Sequence, residues 1–539
     1  MKKFLLIISS FVALSSLNAQ QQDTTKKTVV ITSAYKPVLK PAAKINFSAA
    51  VPVTDTSRPV LTYNIPPQNL LFTYQPASLK PLALTVDTTG EWTNANYVKV
   101  GLGNYRTPYA QTGLSFGDGK SSLVNIHARH ISQKGNLPFQ QYAHTNADIL
   151  GFYSTNENIE WRGKAGFDRS TQYYYGYRPD TLEYSKDDLR QRYTTGSVML
   201  GVRNKKVNTY GINYDPSLSF NSFKDNRKGK EGSLLLSAPI TKTFNEAIAF
   251  KIDLTANITS YRRADNEKIK NNLYYLSPSV LLKKSTFSVN LGIKPSWDNK
   301  EFHLLPDFTG TVKVADKPFV LQAGWIGYYN KNTYKSLAAF NPWIAQPSGF
   351  KNTRIIETFA GLKGSSGSHF TYNAKLSLLK FNNLALFAND TADGKTFRSI
   401  YEPTANSLQI HGEVGYTLQE KLSLLAGATI NKYRGLDENS EAWGLLPVEL
   451  TGAFRWQVLK DLQVKSDLFL WEGSRYINKG RQIGKQKAAY DLNAGVEFTV
   501  MPKLNVWLQL NNILNNKYER WNQYQVLGFN VLGGIVYSF

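Results

Sequence analysis

"VLGFNVLGGIVYSF", Val526 to Phe539, closes the chain without one charged side chain and on an aromatic residue. Most termini fray into solvent, yet this one alternates. One parity holds Phe529, Val531, Gly533, Ile535, Tyr537 and Phe539; the other holds Asn530, Leu532, Gly534, Val536 and Ser538. A period of two with one plainly apolar face predicts a β-strand between two different surroundings. The pattern recurs upstream. In "VELTGAFRWQV", Val448, Leu450, Phe454 and Trp456 oppose Glu449, Thr451, Arg455 and Gln457. In "DLNAGVEFTV", Leu492, Val496 and Phe498 oppose Asp491, Asn493 and Glu497, and Ile248, Phe250, Ile252, Leu254 and Ile258 oppose Lys251, Asp253, Thr255 and Asn257. One kind of sheet runs through the chain, with a face for lipid and a face for water.

The opening residues, "MKKFLLIISSFVALSSLNAQ", place Lys2 and Lys3 before an apolar run and a small residue before Gln20. That is the layout of a secretory signal peptide, here 1–19. Cysteine is absent, which excludes a disulfide framework and a lipidated cysteine near the cut. After residue 19 no apolar run is long enough for a spanning helix, yet the whole chain carries 31 Tyr, 28 Phe and 10 Trp. An exported chain with that pattern predicts an all-β fold, a large antiparallel transmembrane β-barrel in the outer membrane of a Gram-negative-type cell. A closed barrel is the one non-helical way to satisfy every backbone group in lipid. The formal charge of +23 would suggest nucleic acid for a cytoplasmic protein. On an exported barrel it suggests Lys and Arg at the rims and in the lumen, near anionic headgroups or an anionic solute, and no nucleic-acid partner.

From residue 96 onward the sequence offers about 22 strands, with 20 and 24 as alternatives if "NYVKVGLGNYRTPYAQTGLSF" is not split at Arg106-Thr107. Such barrels alternate short periplasmic turns with longer external loops. Tight connections are expected around Asp118-Gly119, Asn156-Glu157, Asn204-Lys205, Lys284-Ser285, Asp316-Lys317, Ser366-Gly367, Gln419-Glu420, Lys460-Asp461 and Pro502-Lys503. Long polar segments fall in the other phase, near 133–142, 177–190, 263–270, 333–353, 386–396, 435–442 and 477–486. Residues 20–90 differ, with Pro37, Pro41, Pro52, Pro59, Pro66, Pro67, Pro76 and Pro81 against regular helix or central strand. They read as an extended Pro-rich segment, periplasmic or threading into the lumen, or as a disordered linker, before a barrel over 91–539.

The C-terminal stretch "LNVWLQLNNILNNKYERWNQYQVLGFNVLGGIVYSF" resembles the last two strands of TonB-dependent outer-membrane receptors, in its amphipathic strand, Asn-rich step and terminal aromatic. "TVVITSAY" looks like the TonB box of such receptors, which implies that Thr28, Val29, Val30, Ile31 and Thr32 pair with an edge strand of a TonB-like energy-coupling protein. The chain departs from that family where a folded plug would need on the order of 100 residues between box and barrel. The resemblance therefore implies a barrel of the receptor type, apparently without the conventional plug, that moves or binds a solute at the cell surface. The alternative is a non-transporting structural or assembly subunit of an outer-membrane complex. Expected partners are outer-membrane lipid and lipopolysaccharide, the insertion machinery that reads an aromatic-ended strand, and either the coupling protein or envelope subunits.

No enzyme and no cofactor is expected. In "HARHIS", His130 and Ser132 share a strand face as a hydrolytic pair would, but no third member is identifiable. His127 and His130 fall on opposite faces, against a shared metal, and His144, His303, His369 and His411 are scattered. The longest external segment, "TYKSLAAFNPWIAQPSGFKNT", sets Tyr334, Phe340, Trp343 and Phe350 among amides and Lys. Flat rings beside amides suit a sugar or a chelate; the same loop could instead fold inward and pack on itself.

Overall fold

The structure, a computed structural model, describes residues 96–539 except 156, 157, 180, 315–317, 391, 420 and 478–481. The expected signal peptide over 1–19, the Pro-rich segment and the box-like residues Thr28 to Thr32 lie outside the described residues. Among those described, no helix is long and apolar enough to cross a membrane. Strands carry the fold. They form one antiparallel sheet that closes on itself, Tyr97–Gly103 pairing with Asn530–Ser538 from Tyr97↔Ser538 to Gly103↔Leu532. Counting the short Ile212–Tyr214 and the following Ser217–Asp225 as one crossing interrupted at Pro216, the barrel has 22 strands. A barrel of that size encloses a lumen too wide for its wall side chains to fill.

The alternation fixes which face is which. Along the first strand Val98, Val100 and Leu102 are 41%, 41% and 75% exposed, while Lys99 between them is 4% exposed. The exposed parity continues through Val198, Phe220, Leu234 and Ile258, and through Ile535, Tyr537 and Phe539 at the end. Those residues form the outer, lipid-side belt, and the opposite parity lines the lumen. The final strand begins at Asn530 rather than Val526, because Val526–Gly528 belong to the loop before it. Gly534 allows the closure: a β-carbon there would sit 1.9 Å from the Val100 carbonyl oxygen.

The split at Arg106-Thr107 holds. Tyr105 and Arg106 both take positive φ, 55° and 51°, the hairpin geometry whose twist matches its strands. All nine expected tight connections lie after even-numbered strands, and a tenth, Phe244–Ala247, follows the eighth. The Asn204-Lys205 turn is longer than expected. It runs to Gly211, and the Asn204 side chain donates to Ile212 O and accepts from Tyr214 N, covering the free edge of Ile212–Tyr214. At the opposite end the connections range from the two-residue Asn299-Lys300 turn to the long segments 331–352, 435–447 and 512–529, and one hairpin, Phe370–Asn389 with Phe397–Leu418, outruns the membrane by about half its length. It bends where Asn383 (φ 55°) stands opposite Pro403, which has no N–H for the ladder. Its tip is thereby turned over the barrel mouth.

Candidate functional site

Two arrangements inside the barrel can handle a solute: a roof of aromatic loops at the long-loop end, and a polar recess on the lumenal wall.

The roof is built around residues 331–352. Asn332 and Asn352 tie its two ends: Asn352 and Asn271 exchange side-chain hydrogen bonds of 2.9 and 2.8 Å, and Asn332 N–H donates to Asn352 Oδ1. Thr333 then caps a short helix, Tyr334–Phe340, in a reciprocal box with Ser336. This helix points inward. Tyr334 packs on Tyr193, Phe223 and Tyr261, all on the lumenal parity of distant strands. Its hydroxyl donates to Asp225 at 2.8 Å, and its backbone N–H donates to Glu231 at 2.6 Å. Trp343 lies flat on Tyr524 with ring centroids 4.1 Å apart, Phe340 meets Phe387 and Trp521, and Phe350 meets Tyr261. The four aromatics singled out in the sequence thus face one buried cluster. The loop crosses the mouth from its own strands to the far wall.

Sequence reasoning missed the other half of this roof. Trp521 and Tyr524 sit on a small hairpin inside 512–529, between the last two strands. Trp521 also meets Phe397, and the Arg520 guanidinium lies 4.4 Å over its ring while donating to Gly444 O. Burial pushes the Arg520 pKa down to about 10, opposed by Glu449 and Tyr433, so it remains charged at neutral pH. Burial pushes Lys331 further, to about 7, against the raising pull of Glu231 and Asp298. The signal in the sequence was "YERWNQYQ", aromatics interleaved with amides where strand alternation lapses.

The recess is an open hollow of about 460 Å³ on the wall formed by four neighbouring strands near the start of the barrel. His127, Arg129, His144, Asn146, Asp148 and Asp168 line it. Arg129 Nη2 lies 3.1 Å from His144 Nδ1, and His144 Nε2 lies 2.6 Å from Asp168 Oδ2. Because a guanidinium only donates, Nδ1 must accept and Nε2–H must face the carboxylate. The three side chains therefore form a fixed cross-strand relay. Asp148, which stands opposite His127 in the ladder, keeps its carboxylate toward the hollow and takes one bond from Asn146. Antiparallel pairing brings these residues together from separate strands, which no spacing in the sequence shows. Among the described residues no group of three or more His, Asp or Glu could hold a metal.

His130 and Ser132 lie on the lipid-side parity. His130 Nδ1 is 2.7 Å from Thr145 Oγ1, and no carboxylate among the described residues stands within ion-pair distance of it.

No protein-family model matches the chain. No curated protein sequence matches it. Solved structures do. The siderophore receptor PirA from Acinetobacter baumannii aligns over 84% of this chain and 81% of its own, with TM-score 0.64 at 10% identity. The FrpB iron transporter from Neisseria meningitidis aligns over 84% and 82%, with TM-score 0.63 at 10% identity. The copper transporter OprC aligns over 84% and 81%, with TM-score 0.60 at 12% identity. At such identities the likeness is one of fold. The resemblance to TonB-dependent outer-membrane receptors, drawn from the last two strands, extends to the whole 22-strand barrel.

Proposed function

We propose that this protein binds or moves a polar solute across the outer membrane through the barrel lumen, with the aromatic roof as its gate and the recess as a stopping place. The observation that carries this reading is the roof itself. Tyr334, Phe340, Trp343 and Phe350 are held over a polar lumen by contacts to other loops and to lumen-facing side chains of the wall, so the loop can part from the wall without breaking the strand ladder. The recess suits a solute rich in hydroxyls or amides, since Asn146, Thr195 and Ser197 offer neutral partners beside the charged relay. The fold likeness to iron, siderophore and copper transporters supports transport as a class and leaves the solute to the site's chemistry. Residues Thr28 to Thr32 are the segment through which a TonB-like protein would deliver energy, with the long-loop end facing outward and the N-terminal segment in the periplasm.

The test is conductance of the purified full chain in a planar bilayer, before and after deletion of residues 20–90. Transport predicts ion flow in at least one of the two. A silent bilayer in both, with a partner co-purifying in fixed ratio, would replace this reading with that of an assembly subunit.

A further inference from the structure

A row of unopposed cations crosses the outside of the barrel near its long-loop end. Cross-strand register places Lys224 opposite Lys230, Lys230 opposite Arg262, and Arg262 opposite Lys268, one residue on each of four consecutive strands. All four share the parity of Phe220, Leu234 and Ile258, so they stand on the lipid side, and all four are exposed. Like charges directly opposite each other in a sheet are destabilising. Nothing in the fold relieves them: none of the four has an ion-pair partner among the described residues, and the outward parity of these strands carries no carboxylate. The carboxylates of the adjoining turn, Asp265 and Glu267, are engaged with Arg263 instead.

The surface below the row is also unusual. The next outward row toward the apolar belt reads Gly196, Ser222, Gly232, Ser260 and Lys270, small residues apart from the last. A β-carbon added at Gly196 or Gly232 would meet nothing within 4 Å. A shallow trench therefore separates the cations from Val198, Phe220, Leu234 and Ile258, which face acyl chains. Four cations over three strand spacings extend about 14 Å. That is more charge, spread more widely, than one phosphate neutralises.

We propose that this row and trench form a binding site for a membrane lipid whose headgroup carries two or more phosphates. The phosphates would lie against Lys224, Lys230, Arg262 and Lys268, with the sugar or glycerol core in the trench and the acyl chains on the belt. The site rests on the outer-membrane placement but not on transport, so it survives a silent bilayer.

The test is native mass spectrometry of the full chain in dodecyl maltoside, titrated with a bisphosphorylated disaccharide lipid, with phosphatidylglycerol and with pyrophosphate. Heat-modifiable gel mobility confirms folding. The expected result is a bound bisphosphorylated lipid whose apparent affinity falls roughly 100-fold or more in the Lys224→Gln/Lys230→Gln/Arg262→Gln/Lys268→Gln protein, given about 1 kcal/mol per basic residue at an anionic surface. Changing Lys242 and Lys284 to Gln at the short-turn end should leave binding intact. Undiminished lipid binding in the fourfold variant, or equal loss in that control, overturns the site. Pyrophosphate or phosphatidylglycerol binding as tightly as the bisphosphorylated lipid overturns the proposed headgroup.

Discussion

Truncation of Trp521 to Ala should open the roof without unfolding the barrel. The Trp521 ring is 1% exposed and touches Phe340, Phe387 and Phe397 at centroid distances of 5.4, 5.3 and 5.4 Å, with Arg520 above it. A buried Trp→Ala change costs about 3–5 kcal/mol. Phe340 belongs to the loop helix and Phe387 and Phe397 to the tip of the long hairpin, beyond the lipid-side belt, so the cost falls on the roof rather than on the membrane-spanning wall. If the roof opens locally, amides of 331–352 should lose roughly two to three and a half orders of magnitude of hydrogen-exchange protection, at about 1.4 kcal/mol per decade. The strands Val448–Leu459 and Ala489–Met501 should keep theirs. Mass-spectrometric exchange on the protein in nanodiscs reads both at once. Unchanged protection over 331–352 would show that the loops are not one packed unit, and equal loss in the strands would show that the roof is part of the barrel's global stability.

Glu402 should anchor the loop 435–447, since its carboxylate accepts from the backbone N–H groups of Glu438 and Asn439 at 2.9 Å each, from that of Asp437, and from Asn439 Nδ2 at 2.7 Å. Glu402→Gln turns an N–H₂ toward those donors, for a cost of about 1–3 kcal/mol, seen as faster proteolysis within 435–447. The roof should also tighten as pH rises. Lys331 titrates near 7 in the fold against 10.5 as its ordinary value, so the unfolded loop binds more protons between these limits and stability increases with pH across that window. Exchange protection of 331–352, corrected for intrinsic rates, should grow from pH 7 to 9, and Lys331→Met should abolish the slope. At the seam, Gly534→Ala should prevent closure and remove the fast-migrating folded band in unheated gels, whereas Gly232→Ala, with open space around it, should keep that band.

The barrel was legible because its signal is local. The parity of Phe529 through Phe539, and of Val448 through Val458, is set by what each face touches, and a strand two residues long in period declares that without its neighbours. Turn chemistry was legible for the same reason: Asp118 accepts from the backbone N–H groups of Lys120, Ser121 and Ser122, a task short polar side chains do locally. The site was only half legible. Tyr334 and Trp343 stood out as aromatics in a loop, but their partners Tyr193, Phe223 and Tyr524 come from far along the chain, and no periodicity links them. The recess was invisible for a related reason. His144, Arg129 and Asp168 meet through register, and a single histidine on a strand looks alike whether it faces a carboxylate or water. The cation row is the same lesson on the outer face, where four ordinary basic residues become one feature only when the strands are aligned.

Reversal potential across a planar bilayer tests the central claim most directly, using the roof-opened Trp343→Ala/Trp521→Ala protein with and without Asp148→Asn/Asp168→Asn, under a salt gradient. A solute path past the recess predicts ion flow in the roof-opened protein and a shift of the reversal potential toward anion preference when the two carboxylates are neutralised. No conductance after the roof is opened, or a potential indifferent to Asp148 and Asp168, would contradict it.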